Sequence, residues 1–136
     1  MRNLILIALI SVSSMAFLTP KNSKLETSFA QQKDNKLSFA FKVVPNKGIQ
    51  ITDIGPWELK LTDTEGLNLP LQNNSFVLKP KDFDKSYGGF KFETGKPSKK
   101  NGTLKYRLKA FVCTDDKTRC FPEIHKGTLD WSTDKK

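Results

Sequence analysis

Hydrophobic and polar residues alternate in short runs along most of this chain. Leu37, Phe39, Phe41 and Val43 alternate with Ser38, Ala40 and Lys42. Trp57, Leu59 and Leu61 alternate with Glu58, Lys60 and Thr62, and Leu104, Tyr106, Leu108 and Ala110 alternate with Lys105, Arg107 and Lys109. A period of two sends one face of a strand into a core and leaves the other in water. Ile49/Ile51 and Phe76/Leu78 are short apolar pairs, and Phe90/Phe92 predict a further strand. Leu67, Leu69 and Leu71 alternate too, with Pro70 confining that run to an edge or a bulge. Beyond Cys120 the pattern through Ile124, Leu129 and Trp131 is weaker, broken by Pro122 and Gly127.

Turn chemistry separates the runs at Pro45-Asn46-Lys47-Gly48, Asp53-Ile54-Gly55-Pro56, Thr64-Glu65-Gly66 and Thr94-Gly95-Lys96-Pro97. Lys99-Lys100-Asn101-Gly102 predicts a type I′ hairpin turn, because Asn-Gly suits its two left-handed positions. No stretch after the N-terminus holds a 3.6-residue period. Short strands at regular intervals predict an all-β sandwich or barrel, one domain over residues 37–131. Trp57 and Trp131 read as core anchors. Residues 17–36, polar and without clear period, read as a flexible segment, and 132–136 as a polar tail.

The first sixteen residues carry a different pattern. Met1-Arg2-Asn3 is a positive start, Leu4 to Ser11 is apolar, and Ser14-Met15-Ala16 places small residues where a signal peptidase cuts. A signal peptide over 1–16, cleaved after Ala16, is expected, with Ala30 a poorer site. The apolar run is short of the ~20 residues of a membrane span, so an uncleaved anchor is the lesser reading. Export to a periplasmic or secreted location follows. The net charge of +9 is spread along the chain, with small clusters at Lys96-Lys99-Lys100 and Lys135-Lys136. It reads first as a solubilising surface; a face that binds an acidic surface is a lesser reading, which salt dependence would reveal. No motif for nucleic acid interleaves aromatics with the basic residues.

The chain has two cysteines, Cys113 and Cys120, flanking the polar loop Thr114-Asp115-Asp116-Lys117-Thr118-Arg119. This predicts a hairpin with one cysteine on each arm. Directly opposed residues of a non-hydrogen-bonded pair have Cα atoms about 4.5 Å apart, at the short end of what a disulfide spans. Export favours oxidation. Two cysteines and one histidine, His125, do not make a zinc site, and no metal or cofactor is expected. A cysteine–histidine nucleophile would also need an orienting group and an oxyanion hole, and neither is evident. Asp115-Asp116 reads as turn chemistry and Glu123 as a solvated carboxylate. Two uses of the pair remain open. One is a redox-active dithiol that exchanges with partner proteins, with Lys117 and Arg119 favouring a thiolate and the two aspartates opposing it. The other is a structural staple closing about eight residues, worth roughly 2.5 kcal/mol by chain entropy, in a non-enzymatic binding module.

The run from Lys105 to Cys113, followed by Cys120-Phe121-Pro122-Glu123, resembles the N-terminal periplasmic domain of the thiol:disulfide interchange protein DsbD. Val44-Pro45-Asn46-Lys47-Gly48 through Gly55-Pro56-Trp57-Glu58-Leu59 is similar to the early strand–turn–strand of that domain. The resemblance spans roughly Leu37 to Trp131. It implies an immunoglobulin-like β-sandwich in which Cys113 and Cys120 are the catalytic pair of a protein-disulfide reductase component. Electrons would come from a membrane thiol–disulfide reductase and pass to oxidised periplasmic thioredoxin-like proteins, with no bound cofactor and the domain a monomer. Cys120, beside Arg119, is the candidate attacking thiol. In the family a loop carrying an aromatic residue covers the disulfide; Phe83, between Asp82 and Asp84, is the candidate here. The Cys-x6-Cys spacing is one residue longer than the family pattern. The sequence also lacks the family's membrane and thioredoxin-like domains, so such a shuttle would dock with separate proteins.

Overall fold

The computed structural model describes residues 21–134; the expected signal peptide lies outside them. Eight strands follow in order: β1 (Ser23–Gln31), β2 (Leu37–Pro45), β3 (Ile49–Ile51), β4 (Glu58–Thr62), β5 (Phe76–Leu78), β6 (Gly89–Glu93), β7 (Asn101–Thr114) and β8 (Cys120–Ser132). They form two antiparallel sheets. One has the order β1-β2-β6. The other is built on β7, which pairs with β8 along one edge and with β4 and β3 along the other, β5 lying beyond β4. The all-β class predicted from the alternation is the class observed.

The core is where the period-two faces meet. Leu37, Phe39, Phe41 and Val43 of β2 are buried, as are Leu59 and Leu61 of β4 and Leu104, Leu108, Ala110 and Val112 of β7. Aromatic rings join the sheets: Phe41 meets Tyr106 edge-on at 5.4 Å between centroids, and Phe92 meets Phe76 at 5.0 Å. Burying each such ring or aliphatic side chain stabilises by about 1.5–3 kcal/mol, which is what holds two short-stranded sheets face to face. Trp57 and Trp131 are both buried, as anchors should be.

Three expectations are corrected. Residues 21–36, read as part of a flexible segment, contain β1, paired with β2 over nine positions from Ser23↔Pro45 to Gln31↔Leu37. Its inward positions include Ser23, Thr27 and Gln31, so alternation is present in burial without being visible in hydrophobicity. Leu67, Leu69 and Leu71 form no strand; Leu67 and Leu69 pack on the core from a loop, and Leu71 is exposed. Asn101-Gly102 is not a turn but the start of β7, paired with Ser132 and Trp131. Gly102 is needed for room instead, because a Cβ there would lie 2.8 Å from Trp131 Cζ2. A two-residue turn with both φ positive falls instead at Asn73-Asn74 (50° and 62°), closing the Gln72–Ser75 bridge.

Candidate functional site

The predicted cysteine hairpin is the tip of β7–β8. Thirteen residue pairs run from Asn101↔Ser132 to Cys113↔Cys120, and the last pair is joined by a disulfide with Cα atoms 4.0 Å apart. The hydrogen bond from Thr114 N–H to the Arg119 carbonyl (2.8 Å) makes the next pair out a hydrogen-bonded one. By alternation the cysteines form a non-hydrogen-bonded pair, the close-approach position the sequence pointed to.

The turn is built from its own side chains. Asp116 Oδ1 accepts from the Thr114 hydroxyl (2.5 Å), the Thr118 hydroxyl (2.8 Å) and the Thr118 N–H (3.0 Å). Those donors, the Thr114 hydroxyl foremost, hold its carboxyl well below the usual range, at about 2. Lys117 takes the left-handed position (φ 60°) and donates its N–H to the Thr114 carbonyl. Asp116 is therefore turn chemistry, as its sequence context predicted.

The two sulfurs live in different surroundings. Cys113 is 5% exposed, flanked in register by Gln50 of β3 and Cys120 of β8, while Cys120 is exposed at the start of β8. Beside them runs a groove of about 440 Å³ lined by Gln50–Ile54, Lys85, Phe111, Lys117 and both cysteines. The segment 52–55 folds over Phe111, since Thr52 N–H reaches the Phe111 carbonyl (3.3 Å) and a Cβ on Gly55 would lie 2.7 Å from the Phe111 ring. Ile54 at its crest is 79% exposed, an apolar side chain left in water at the groove wall. On the far wall Lys85 pairs with Asp53 at 3.0 Å, and that donor lowers the Asp53 carboxyl below its ordinary value.

Phe83, proposed as the cap, has other contacts. Its ring stacks on Trp57 at 4.0 Å and meets Phe90 edge-on at 5.8 Å. Its loop reaches the groove through Lys85, with Phe83 absent from the lining. Asp82 accepts the Lys79 N–H (2.9 Å), and Asp84 accepts the Ser86 hydroxyl (2.7 Å) and Tyr87 N–H (3.1 Å), so both acids shape the loop.

Glu123, read as solvated, is buried, and this is a correction. Its carboxylate accepts the Asn22 N–H (2.7 Å) and the Ser23 hydroxyl (2.5 Å), and the same hydroxyl lies 2.9 Å from His125 Nε2. A hydroxyl has one proton. With that proton on the carboxylate side, His125 must donate from Nε2. Burial is the main cause that lowers the His125 pKa; Lys21 adds to it and Glu123 opposes it. The serine sits between acid and base with its proton drawn to the acid and its side chain enclosed, which is the wrong order for an activated nucleophile. The cluster fastens the start of β1 to the inner side of β8. His125 is also five residues from Cys120, on the opposite face of the strand, so no cysteine–histidine pair forms. Nothing in the local sequence marks this cluster, because Ser23 and His125 are 102 positions apart.

Among the described residues no group of three His, Cys, Asp or Glu side chains is placed to hold a metal ion, and no helix is long and apolar enough to cross a membrane. Comparison with family models, with curated proteins and with solved structures finds no match to this chain.

Proposed function

We propose that this is an exported thiol–disulfide exchange domain whose working pair is Cys113–Cys120. The observation that carries the reading is the asymmetry of the bridge: one cysteine exposed, one buried, beside an open groove with an uncovered isoleucine. Exchange requires in-line approach of a thiolate to one sulfur, and a hairpin tip with Cys120 outermost offers that approach. In the reduced protein the Cys120 thiolate attacks one sulfur of a partner's disulfide, forming a mixed disulfide and releasing the partner's other sulfur as thiolate. Cys113, losing its proton, then attacks Cys120 Sγ. The intramolecular bridge re-forms, the partner leaves as a dithiol, and two electrons have passed to it. A membrane thiol–disulfide reductase would return the pair to the dithiol.

One neighbour favours a thiolate and one opposes it. Lys117 lines the groove and makes no ion pair among the described residues. Asp116, held ionised by the three hydrogen bonds it receives, is the opposing charge. The likeness of Lys105–Cys113 and Cys120–Glu123 to the DsbD N-terminal domain supports the same reading, and a two-sheet sandwich is compatible with that family's immunoglobulin-like fold. Thioredoxin-like oxidised proteins of the periplasm are the partners this implies. The competing reading is a stapled binding module, favoured by the burial of Cys113.

Single-cysteine variants test the assignment. Cys113→Ser leaves Cys120 alone and should react quickly with a small aromatic disulfide reagent. Cys120→Ser leaves the enclosed Cys113, which should react at least about tenfold more slowly, since access limits exchange. Equal rates would remove the basis for naming Cys120 the attacking thiol.

A further inference from the structure

We infer that the outer face of the β4-β7-β8 sheet is a docking surface for an extended acidic polypeptide segment, added as a strand along the free edge of β8. This stands independently of the redox reading. Register puts Lys60, Arg107 and Lys126 directly side by side on three adjacent strands. Lys105 and Lys109 flank Arg107 on the same face of β7. Like charges placed directly opposite one another destabilise a sheet. Among the described residues Lys60, Arg107, Lys109 and Lys126 have no ion-pair partner, and only Lys105 is paired, to Asp63 at 3.3 Å. A row that costs stability and is left unneutralised is positioned for an anion from outside. The face is also concave there, with a depression of about 450 Å³ lined by Lys60, Arg107, Lys126 and Thr128.

Spacing and edge geometry choose the occupant. Neighbouring strands lie about 4.8 Å apart, and alternate residues of one strand about 6.7 Å apart, so the cations form a grid with the repeat of polypeptide side chains. Among the described residues β8 pairs only with β7. The Ile124 carbonyl, which accepts Lys21 Nζ at 2.5 Å, faces away from that partner. By alternation the N–H and C=O of Lys126 and Thr128 face outward as well, and a strand laid there would hydrogen-bond to them. Every second side chain of that strand would stand beside Lys126 and continue the row, where a carboxylate is the complementary group. A continuous anionic plane fits less well. Glu58 at one end of the grid, and Asp63 and Asp130 at the other, would press against a phosphate surface spread over the face, whereas a strand at the β8 edge has only Asp130 of the three on its neighbouring strand.

The test uses a fluorescent peptide of alternating glutamate and threonine, titrated with the protein and followed by anisotropy at low salt. Binding should weaken with added salt. Arg107→Glu and Lys126→Glu should each reduce affinity at least about tenfold, while Lys33→Glu, with the same charge change elsewhere, should alter it less than about twofold. Thr128→Pro removes an outward N–H without touching the β7 ladder and should also weaken binding. Arg107→Glu relieves the repelling row, so its melting temperature should not fall, which separates lost binding from lost folding. The inference is overturned if the three lysine and arginine variants behave alike, or if Thr128→Pro binds as well as the parent. It is equally overturned if anionic phosphatidylglycerol vesicles, and not the peptide, show the dependence on Arg107.

Discussion

Replacing Ser23 with alanine removes one oxygen, and the structure gives that atom an unusual share of the fold. The hydroxyl is the donor to Glu123 Oε1 and the acceptor for His125 Nε2, all three residues being buried. A hydrogen bond to a charged group contributes about 1.5–3 kcal/mol, and a buried group left unpaired costs about 1–3 kcal/mol more directly. Asn22 N–H still reaches the carboxylate, so the loss is partial. We expect about 2–3 kcal/mol of destabilisation, the middle of those ranges. For a domain with a urea dependence near 1.5 kcal/mol/M that moves the unfolding midpoint down by about 1–2 M. Hydrogen exchange should also accelerate in β1, whose start this cluster ties to β8, before it accelerates in β7. A midpoint shift below about 0.3 M in urea, with β1 as protected as in the parent, would refute the claim that this cluster holds the sheets together at that rim.

The same cluster makes stability depend on pH. His125 has a folded-state pKa depressed by burial, so the unfolded chain binds the proton more readily, and stability should fall as pH drops below about 6.5. His125→Gln should flatten urea midpoints between about pH 7 and pH 5; an unchanged slope there would exclude this residue as the cause. Gly102→Ala should destabilise by about 1–3 kcal/mol in thermal melts, because the new methyl group meets the enclosed Trp131 ring. Phe83→Ala should cost about 2–3 kcal/mol of stability through lost stacking on Trp57, yet leave the reduction potential of the cysteine pair within about 10 mV of the parent's; a larger change would restore Phe83 as a cap on the bridge.

What could be read in advance follows the physics of each element. β2, β4 and β7 were legible because both the buried and the solvated face keep their chemistry along the strand. β1 was not, because its inward side ends on Ser23 against a carboxylate and an imidazole, so a buried position asks for a hydroxyl. Asn101-Gly102 misled because the glycine answers to a tryptophan ring that only the folded register brings near. The cysteine hairpin was legible for the opposite reason: all its determinants, from Cys113 to Cys120, are local. The groove beside it is not local. Its walls come from β3, the 52–55 segment and the loop before β6, and only packing assembles Ile54, Lys85 and Phe111 around the bridge. Glu123 shows the same limit, since a carboxylate one residue after a proline looks solvated until β1 covers it.

The central claim concerns whether the Cys113–Cys120 bridge is used or merely kept. The most direct measurement is its reduction potential in the full chain, equilibrated against a dithiothreitol or glutathione series, with the rate of exchange with a thioredoxin-like dithiol taken alongside. An exchange domain predicts a potential above about −300 mV, rapid exchange and a reduced form that stays folded. A potential below about −300 mV, with slow exchange and unfolding on reduction, would contradict it and leave the bridge as a staple.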